Sequence, residues 1–236
     1  MVNNPPVIGV ADVSRIYSSG AEVVHAIRNV DLEIPSKTFV TIVGRSGSGK
    51  TTLLNLMAGL DKPTSGSVLF KGTDISTMKE KDLISLRRKD VGFVFQSFSL
   101  LPLLSAFENV ELPLRISGIK NTERQQRTKL ALEIVGLSKR LHHRPYELSG
   151  GEQQRVAIAR AIVIRPDIII ADEPTGELDS SNAQEIFTLL KNMVREHGIT
   201  VIATTHDPTL LDMADMVTEL SDGSIVEYSR KSSRFR

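Results

Sequence analysis

Between a short apolar run and a leucine-rich segment, the chain reads Gly44-Arg45-Ser46-Gly47-Ser48-Gly49-Lys50-Thr51. These eight residues fit G-x-x-x-x-G-K-[ST], a loop whose glycines allow backbone N–H groups to converge on phosphate oxygens. A glycine-rich turn without a ligand would look similar, but residues 39–43 resemble a buried strand and residues 52–60 have helical spacing. In that setting the motif predicts a nucleotide site, with Lys50 on the β- and γ-phosphates and Thr51 on Mg²⁺. We count Gly44 through Thr51, and Thr52 after them, as nucleotide-binding residues.

A second informative run ends in two acidic residues. Ile168–Ile170 are consecutive isoleucines, and Asp172 and Glu173 follow closely. On a parallel sheet this strand end would lie beside the phosphate loop, where a carboxylate oxygen of Asp172 suits a hard cation such as Mg²⁺. Glu173 can take a proton from an attacking water as a general base. The alternative is a strand that ends in two solvated acids before a turn at Pro174, and the upstream phosphate loop argues against it.

Composition limits the remaining classes of protein. The 236 residues include no cysteine, which excludes disulfides, a thiol nucleophile and a cysteine-based zinc site. Lysine and arginine number 29 against 28 aspartate and glutamate, so a net charge of +1 provides no broad field for nucleic acid. Residues 229–236 carry four of the positive charges, and without this basic tail the net charge is −3. No run is apolar enough for a signal peptide or a membrane span, so we expect a soluble intracellular protein.

Strands and helices alternate along most of the chain. Alternating residues on both sides of a turn at 18–20 predict an antiparallel hairpin. Val91–Phe95, Ile168–Ile170 and Thr200–Thr204 are typical of buried strands, and helical segments separate them. Thr122-Glu123-Arg124-Gln125 fits a capping box and predicts the start of one helix. The pattern predicts an α/β fold with a mostly parallel, helix-covered sheet.

The motif that identifies a family is Leu148-Ser149-Gly150-Gly151-Glu152-Gln153-Gln154-Arg155. Its serine can cap a helix and its glycines expose backbone N–H groups, so it is physically a second phosphate-binding helix start. Together with the phosphate loop and the acidic strand end, it resembles the signature of ATP-binding-cassette (ABC) ATPases. In that family two subunits pack head-to-tail, and each ATP lies between the loop of one and the signature of the other. The resemblance therefore implies that Ser149, Gly150, Gly151 and Glu152 bind ATP.

The resemblance covers roughly residues 7–228 and implies a single ABC ATPase domain of the P-loop NTPase fold over residues 1–228, followed by the basic tail 229–236. We expect a mostly parallel RecA-like core, an N-terminal antiparallel β subdomain and an inserted α-helical subdomain. The implied division is residues 7–38 and 66–75 for the β part, 39–65, 76–96 and 166–228 for the core, and 97–165 for the helical subdomain.

Four further positions take their roles from the resemblance alone. Gln96, after the strand Val91–Phe95, resembles the glutamine that contacts Mg²⁺ and the attacking water. His206 resembles the switch histidine on the γ-phosphate, and Asp179 resembles the aspartate that crosses the dimer interface. Tyr17 resembles the aromatic residue that stacks on adenine; stacking tolerates any base, so ATP as the nucleotide is implied by the family. From the residues alone, Asp179 would be a helix cap, Tyr17 a surface residue and His206 a structural or solvated histidine.

Short motifs narrow the resemblance to one group, the lipoprotein-releasing, macrolide- or peptide-export and cell-division ABC ATPases. The motifs are Phe93-Val94-Phe95-Gln96, Leu101-Pro102, Glu108-Asn109-Val110 and Asp172-Glu173-Pro174-Thr175-Gly176, with a departure at Glu177, where many relatives carry asparagine.

Members of this group work with separate membrane permease subunits. We therefore expect a homodimeric ATPase, peripheral on the cytoplasmic face of the membrane, which hydrolyses ATP with Mg²⁺, moves a permease and binds no nucleic acid. Two alternatives are a cell-division regulator and an ABC ATPase that acts on DNA or the ribosome. The basic tail is the one sequence feature that favours the DNA- or ribosome-acting alternative.

Overall fold

A computed structural model describes residues 6–20 and 22–230. The elements, in chain order, are β1 (Pro6–Ser19), β2 (Glu22–Pro35), β3 (Phe39–Val43), α1 (Lys50–Met57), β4 (Ser65–Phe70), β5 (Thr73–Asp74), α2 (Glu80–Lys89), β6 (Val91–Val94), α3 (Ala106–Ile116), α4 (Asn121–Ile134), α5 (Gly150–Ile162), β7 (Ile168–Ala171), α6 (Ser180–His197), β8 (Thr200–Thr205), β9 (Met216–Ser221) and β10 (Ser224–Arg230). Short 3₁₀ turns lie at Pro145–Glu147 and Pro208–Met213. The predicted α/β class is confirmed.

The described strands form two sheets. The smaller sheet is antiparallel, in the order β2-β1-β4-β5, and the larger has the order β10-β9-β3-β8-β7-β6. In the larger sheet β3 pairs parallel with β8 and β9, β7 pairs parallel with β6 and β8, and β10 runs antiparallel to β9. Because parallel strands end at a common edge, the residues that follow β3, β6, β7 and β8 meet there.

Two apolar clusters cover the two faces of the larger sheet. Successive side chains of β7 alternate between them: Ile169 and Ala171 belong to one cluster, and Ile168 and Ile170 to the other. The first cluster also contains residues of α3, α4, α5 and α6, and the second contains residues of α1 and the antiparallel sheet. Burial on both faces explains why this strand is a continuous apolar run rather than an alternating one.

One helix start was predicted wrongly. The amide of Arg124 donates to the carbonyl of Lys120, so α4 already includes Thr122, and Lys120 occupies the cap position without a side-chain hydrogen bond. A threonine inside the first turn cannot serve as the cap of that turn. Reciprocal capping boxes occur instead at α3, between Ser105 and Glu108, and at α5.

The carboxyl-terminal boundary also differs from the prediction. Ser229 and Arg230 pair with Val217 and Met216 in the last strand, so they belong to the sheet rather than to a tail. The other residues of the predicted basic tail, 231–236, lie outside the described residues. Across the ranges given above, no helix has the length and apolar character needed to cross a bilayer.

Candidate active site

The carboxyl edge of the parallel strands opens into a cleft of about 570 Å³. Its walls include ten residues that the sequence assigned to nucleotide, metal or catalysis: Tyr17, Ser46, Gly47, Gly49, Lys50, Thr51, Thr52, Gln96, Asp172 and Glu173. They come from the β1–β2 hairpin, the loop after β3, the start of α1 and the ends of β6 and β7. Parallel pairing of β3, β8, β7 and β6 thus brings together positions that are far apart in the sequence.

Two glycines shape the loop that enters α1. Gly47 and Gly49 have φ angles of 80° and 103°, a left-handed backbone that disfavours any residue with a Cβ. A Cβ at Gly49 would lie 2.4 Å from the carbonyl oxygen of Ala26, whereas a Cβ at Gly47 would have no neighbour within 4 Å. Gly49 is therefore required by packing, and Gly47 leaves open space at the cleft.

The amino end of α1 is suited to an anion. No side chain among the described residues caps it, since Gly49 stands at the cap position. The first N–H groups of a helix have no partner within the helix, and they carry the positive end of its dipole. The buried hydroxyl of Ser48 also has no hydrogen-bond partner among the described residues. An arrangement of this kind fits phosphate oxygens.

Lys50 places a fixed positive charge beside these groups. Its side chain is only 6% exposed. Its Nζ donates to the carbonyl oxygens of Gly44, at 2.9 Å, and Arg45, at 3.1 Å. The same atom lies 3.5 Å from Oε1 of Glu173. A buried ammonium needs such partners, and phosphate oxygens would serve it equally.

Asp172 lies at the centre of a chain of hydroxyl contacts. Thr51 Oγ1 donates to Oδ2 of Asp172 at 2.7 Å, and Thr204 Oγ1 donates to Oδ1 at 2.8 Å. Thr204 also accepts a hydrogen bond from the amide of Glu173, at 2.7 Å. The hydroxyl and carboxylate oxygens of Thr51 and Asp172 are thus adjacent, and oxygen ligands are those that Mg²⁺ prefers. The residues present fit that cation.

Glu173 has an unusual backbone. Its φ of 43° is left-handed, which for a residue with a side chain costs about 1–2 kcal/mol. Its Oε2 lies 3.6 Å from Nδ1 of His206, which is 67% exposed. The carboxylate therefore stands between Lys50 and His206, within the cleft. Strain of this kind concentrates at functional sites, where the surrounding structure holds the residue in place.

The signature residues lie elsewhere. Ser149 caps α5: its Oγ accepts from the amide of Glu152 at 3.2 Å, and Glu152 Oε2 accepts from the amide of Ser149 at 2.9 Å. That hydrogen bond, with a contribution from a neighbouring arginine, lowers the pKa of Glu152 although burial opposes the shift. A Cβ at Gly151 would lie 2.5 Å from Oδ1 of Asn182, so the start of α5 packs against the start of α6.

Asp179 caps α6, as the residues alone suggested. Its Oδ1 accepts from the amide of Asn182 at 2.9 Å, and this bond leads the contributions that lower the pKa of Asp179. Asp179, Ser149 and Gly150 do not line the cleft of their own chain. The structure therefore forms two separate groups of predicted site residues, one at the cleft and one at the starts of α5 and α6.

Sequence reasoning missed several residues of the site. The sequence indicates Thr204 only as part of a β-branched strand, although a hydroxyl at the end of a buried strand is a signal that could have identified it. The remaining cleft residues carry no motif: Val24, His25, Ala26, Arg28, Asp222 and Gly223. Gly223 reaches the cleft because its amide donates to the carbonyl of Ser48, at 3.0 Å.

Comparisons with known proteins agree with this geometry. The family profile described as "ABC transporter" matches residues 27–176. An uncharacterized ABC transporter ATP-binding protein of Thermotoga maritima is 46% identical over 225 residues, which cover 95% of this chain and 96% of that protein. The macrolide export ATP-binding/permease protein MacB of Wolinella succinogenes is 45% identical over 93% of this chain, which spans only 34% of that protein. The dimeric, post-hydrolysis structure of the cassette MJ0796 bound to ADP and Pi is 41% identical, with a TM-score of 0.87 over 94% of this chain and 98% of that chain.

Proposed function

The chain belongs to the ABC transporter family and is an ATPase cassette, and on this premise we propose that two copies enclose two ATP molecules and drive separate membrane permease subunits. The observation that carries the proposal is the position of the signature. Ser149, Gly150 and Asp179 lie outside the cleft of their own chain, so they are available to the nucleotide of a second copy. The dimeric state of MJ0796 supports the same arrangement.

Different residues of the cleft then have different roles in the binding and hydrolysis of ATP. The loop amides and Lys50 bind the phosphates, while Thr51, Asp172 and Gln96 hold Mg²⁺, which neutralises phosphate charge when it is bound. Glu173 accepts the proton of the water that attacks the γ-phosphorus, and the bond to the ADP oxygen breaks. His206 contacts the γ-phosphate from the other side of Glu173. The residues assigned to the nucleotide are Tyr17, Gly44, Arg45, Ser46, Gly47, Ser48, Gly49, Lys50, Thr51 and Thr52 on one copy and Ser149, Gly150, Gly151, Glu152 and Asp179 on the other.

The dimer requirement gives the experiment that tests the function. The specific ATPase activity of the purified chain is expected to rise with protein concentration, because each site is complete only when two chains meet. Removal of Mg²⁺ with a chelator is expected to abolish the activity. The variant Ser149→Arg, which places a long cation at the start of α5, is expected to lose hydrolysis at every concentration. A specific activity that is constant on dilution would contradict the two-chain site.

A groove beside α5 supports the permease part of the proposal. It has a volume of about 560 Å³ and is lined by apolar side chains, including those of β6 and α3, and by arginines. The rings of Phe93 and Phe95 stack there at 5.7 Å, and Phe95 is 39% and Ile116 55% exposed. Arg88 and Arg160 also line it. We propose that a short cytoplasmic helix of the permease, apolar on one face and acidic at its ends, occupies this groove and holds the cassette on the cytoplasmic face of the membrane.

Substitution in the groove is expected to separate the chain from its membrane partner. Ile116→Glu would place a charge among the apolar residues, so the tagged variant should no longer co-purify with an integral membrane protein from detergent extracts of source cells. The control is Leu130→Glu, because Leu130 is 47% exposed on α4 and lies outside the groove. ATP binding by both variants should match that of the unmodified chain. Equal capture by the two variants would place the permease on another surface.

A further inference from the structure

Tyr17 is held on two sides by charged residues. Its hydroxyl donates to Oδ2 of Asp61 at 2.6 Å. Arg15 donates to both oxygens of Asp61, through Nε and through a terminal nitrogen, each at 2.9 Å. The guanidinium carbon of Arg15 also lies 4.4 Å from the centre of the Tyr17 ring, a cation–π contact. The three side chains therefore form a closed triangle, which we call the tyrosine clamp.

The clamp leaves one face of the ring for a ligand. Tyr17 lines the nucleotide cleft, whereas Arg15 and Asp61 do not. An aromatic ring has two faces, and Arg15 covers one of them. Tyr17 is 38% exposed, although its hydroxyl and one face are in contact with the clamp. An unligated surface tyrosine gains little from the immobilisation of three side chains, which costs conformational entropy. A base that stacks on Tyr17, by contrast, benefits from a ring whose orientation is already fixed.

The clamp also ties the ring to the phosphate loop. The amide of Asp61, which follows α1, donates at 3.2 Å to the carbonyl of Asn55, a residue of α1. The same helix begins at Lys50, beside the proposed phosphate site. Nearby, the amide of Ile16 donates to Thr64 Oγ1, at 3.0 Å. The distance between the Tyr17 ring and the phosphate loop is therefore set through one helix.

Asp61 stays ionised in this setting. Burial opposes its charge, but the hydrogen bonds from Tyr17 and from the amide of Lys62, together with the charge of Arg15, outweigh burial and lower the pKa of Asp61. The carboxylate therefore accepts hydrogen bonds from both partners at neutral pH. Opposite charges 2.9 Å apart and only 24% exposed are screened less than a fully exposed pair.

We propose that Arg15 and Asp61 are positioning residues that orient Tyr17 as the platform for the adenine base. This inference rests on the proposed role of Tyr17 in the nucleotide site. The clamp would act on the base alone, since neither charged residue lines the part of the cleft that fits phosphates. It would raise affinity by removing the freedom of the ring before the base arrives.

The test compares a ligand that has the base with one that lacks it. Binding of ADP and of inorganic pyrophosphate to the full chain is measured by calorimetry for Asp61→Asn, Arg15→Gln and Tyr17→Leu. Loss of base stacking corresponds to about 5- to 150-fold in affinity, so Tyr17→Leu should weaken ADP within that range. Asp61→Asn and Arg15→Gln should each weaken ADP by about 3- to 10-fold, a part of that effect. Pyrophosphate affinity should change less than about twofold in all three variants.

A double variant separates the clamp from general damage. In a Tyr17→Leu chain, the further change Asp61→Asn should weaken ADP no more, because the ring that it positions is gone. If Tyr17→Leu binds ADP like the unmodified chain, the proposed adenine site itself fails. If Tyr17→Leu weakens ADP but the clamp variants do not, the site stands and the clamp is wrong. Loss of pyrophosphate binding in the clamp variants would assign Arg15 and Asp61 a purely structural role.

Discussion

Replacement of Glu173 by glutamine is expected to slow ATP hydrolysis by a factor of about 10²–10⁴ while ATP binding persists. Glutamine has the same length but cannot accept the proton of the attacking water. The hydrogen bond that holds its backbone is retained, because it runs from the amide of residue 173 to Thr204 Oγ1. ATP that is bound but not hydrolysed should keep the two copies together. Turnover is measured by phosphate release, and the dimer by light scattering with ATP and Mg²⁺.

The matched control for this experiment is Glu196→Gln, an exposed acid near the end of α6. It removes the same charge at a distance from the cleft and should hydrolyse ATP like the unmodified chain. Turnover by Glu173→Gln at the rate of that control would remove Glu173 from the role of base. A variant that hydrolyses slowly but remains monomeric with ATP would keep the base and overturn the enclosure of ATP between two copies.

The second large effect concerns the two glycines of the loop. Gly49→Ala is expected to lower the free energy of unfolding by about 3 kcal/mol or more, since left-handed backbone costs about 1–2 kcal/mol and overlap with a backbone oxygen adds to it. The Cβ would lie 2.4 Å from the carbonyl of Ala26, which β2 holds in place. Gly47→Ala meets no such neighbour and should cost only about 1–2 kcal/mol. Urea denaturation of the two variants, compared with the unmodified chain, measures both values.

Nucleotide binding should also distinguish Gly47→Ala from Gly49→Ala. Gly47 lines the cleft with open space around it, so a methyl group there obstructs the approach of phosphate even though the fold tolerates it. Gly47→Ala should therefore bind ATP weakly in a chain that remains folded at room temperature. Equal stability of Gly47→Ala and Gly49→Ala would show that the overlap with Ala26 is relieved by a small shift of the loop.

Local sequence predicted the parts of the site that depend on neighbouring residues. The phosphate loop needs glycines at fixed positions before Lys50, and the capping box at Ser149 needs an acid three residues later, so both can be recognised as short patterns. The buried strand before Asp172 can be predicted from the sequence because a parallel strand covered on both faces is apolar throughout. The same reasoning predicted that Asp179 caps a helix, which the structure confirms.

Other parts depend on sheet order, which short patterns do not specify. Thr204 and Asp172 are 32 residues apart in the sequence, and they are in contact because β8 lies next to β7 in the sheet. Asp61 contacts Tyr17 only because the folded chain places the β1–β2 hairpin beside the residues that follow α1. At Thr122 the pattern was misleading, because the chain enters the helix at Lys120 and the threonine falls inside the first turn. Hydrogen bonds between distant elements therefore account for most of what the sequence did not show.

The close approach of Gly49 to Ala26 has a mechanical consequence. Ala26 belongs to β2 of the antiparallel sheet, and a Cβ at Gly223 would also lie 2.8 Å from its carbonyl oxygen. Arg28, two residues along, donates its amide to Gly223 at 2.8 Å. Backbones this close leave little room for sliding, so we expect a displacement of β2 to move the phosphate loop with it.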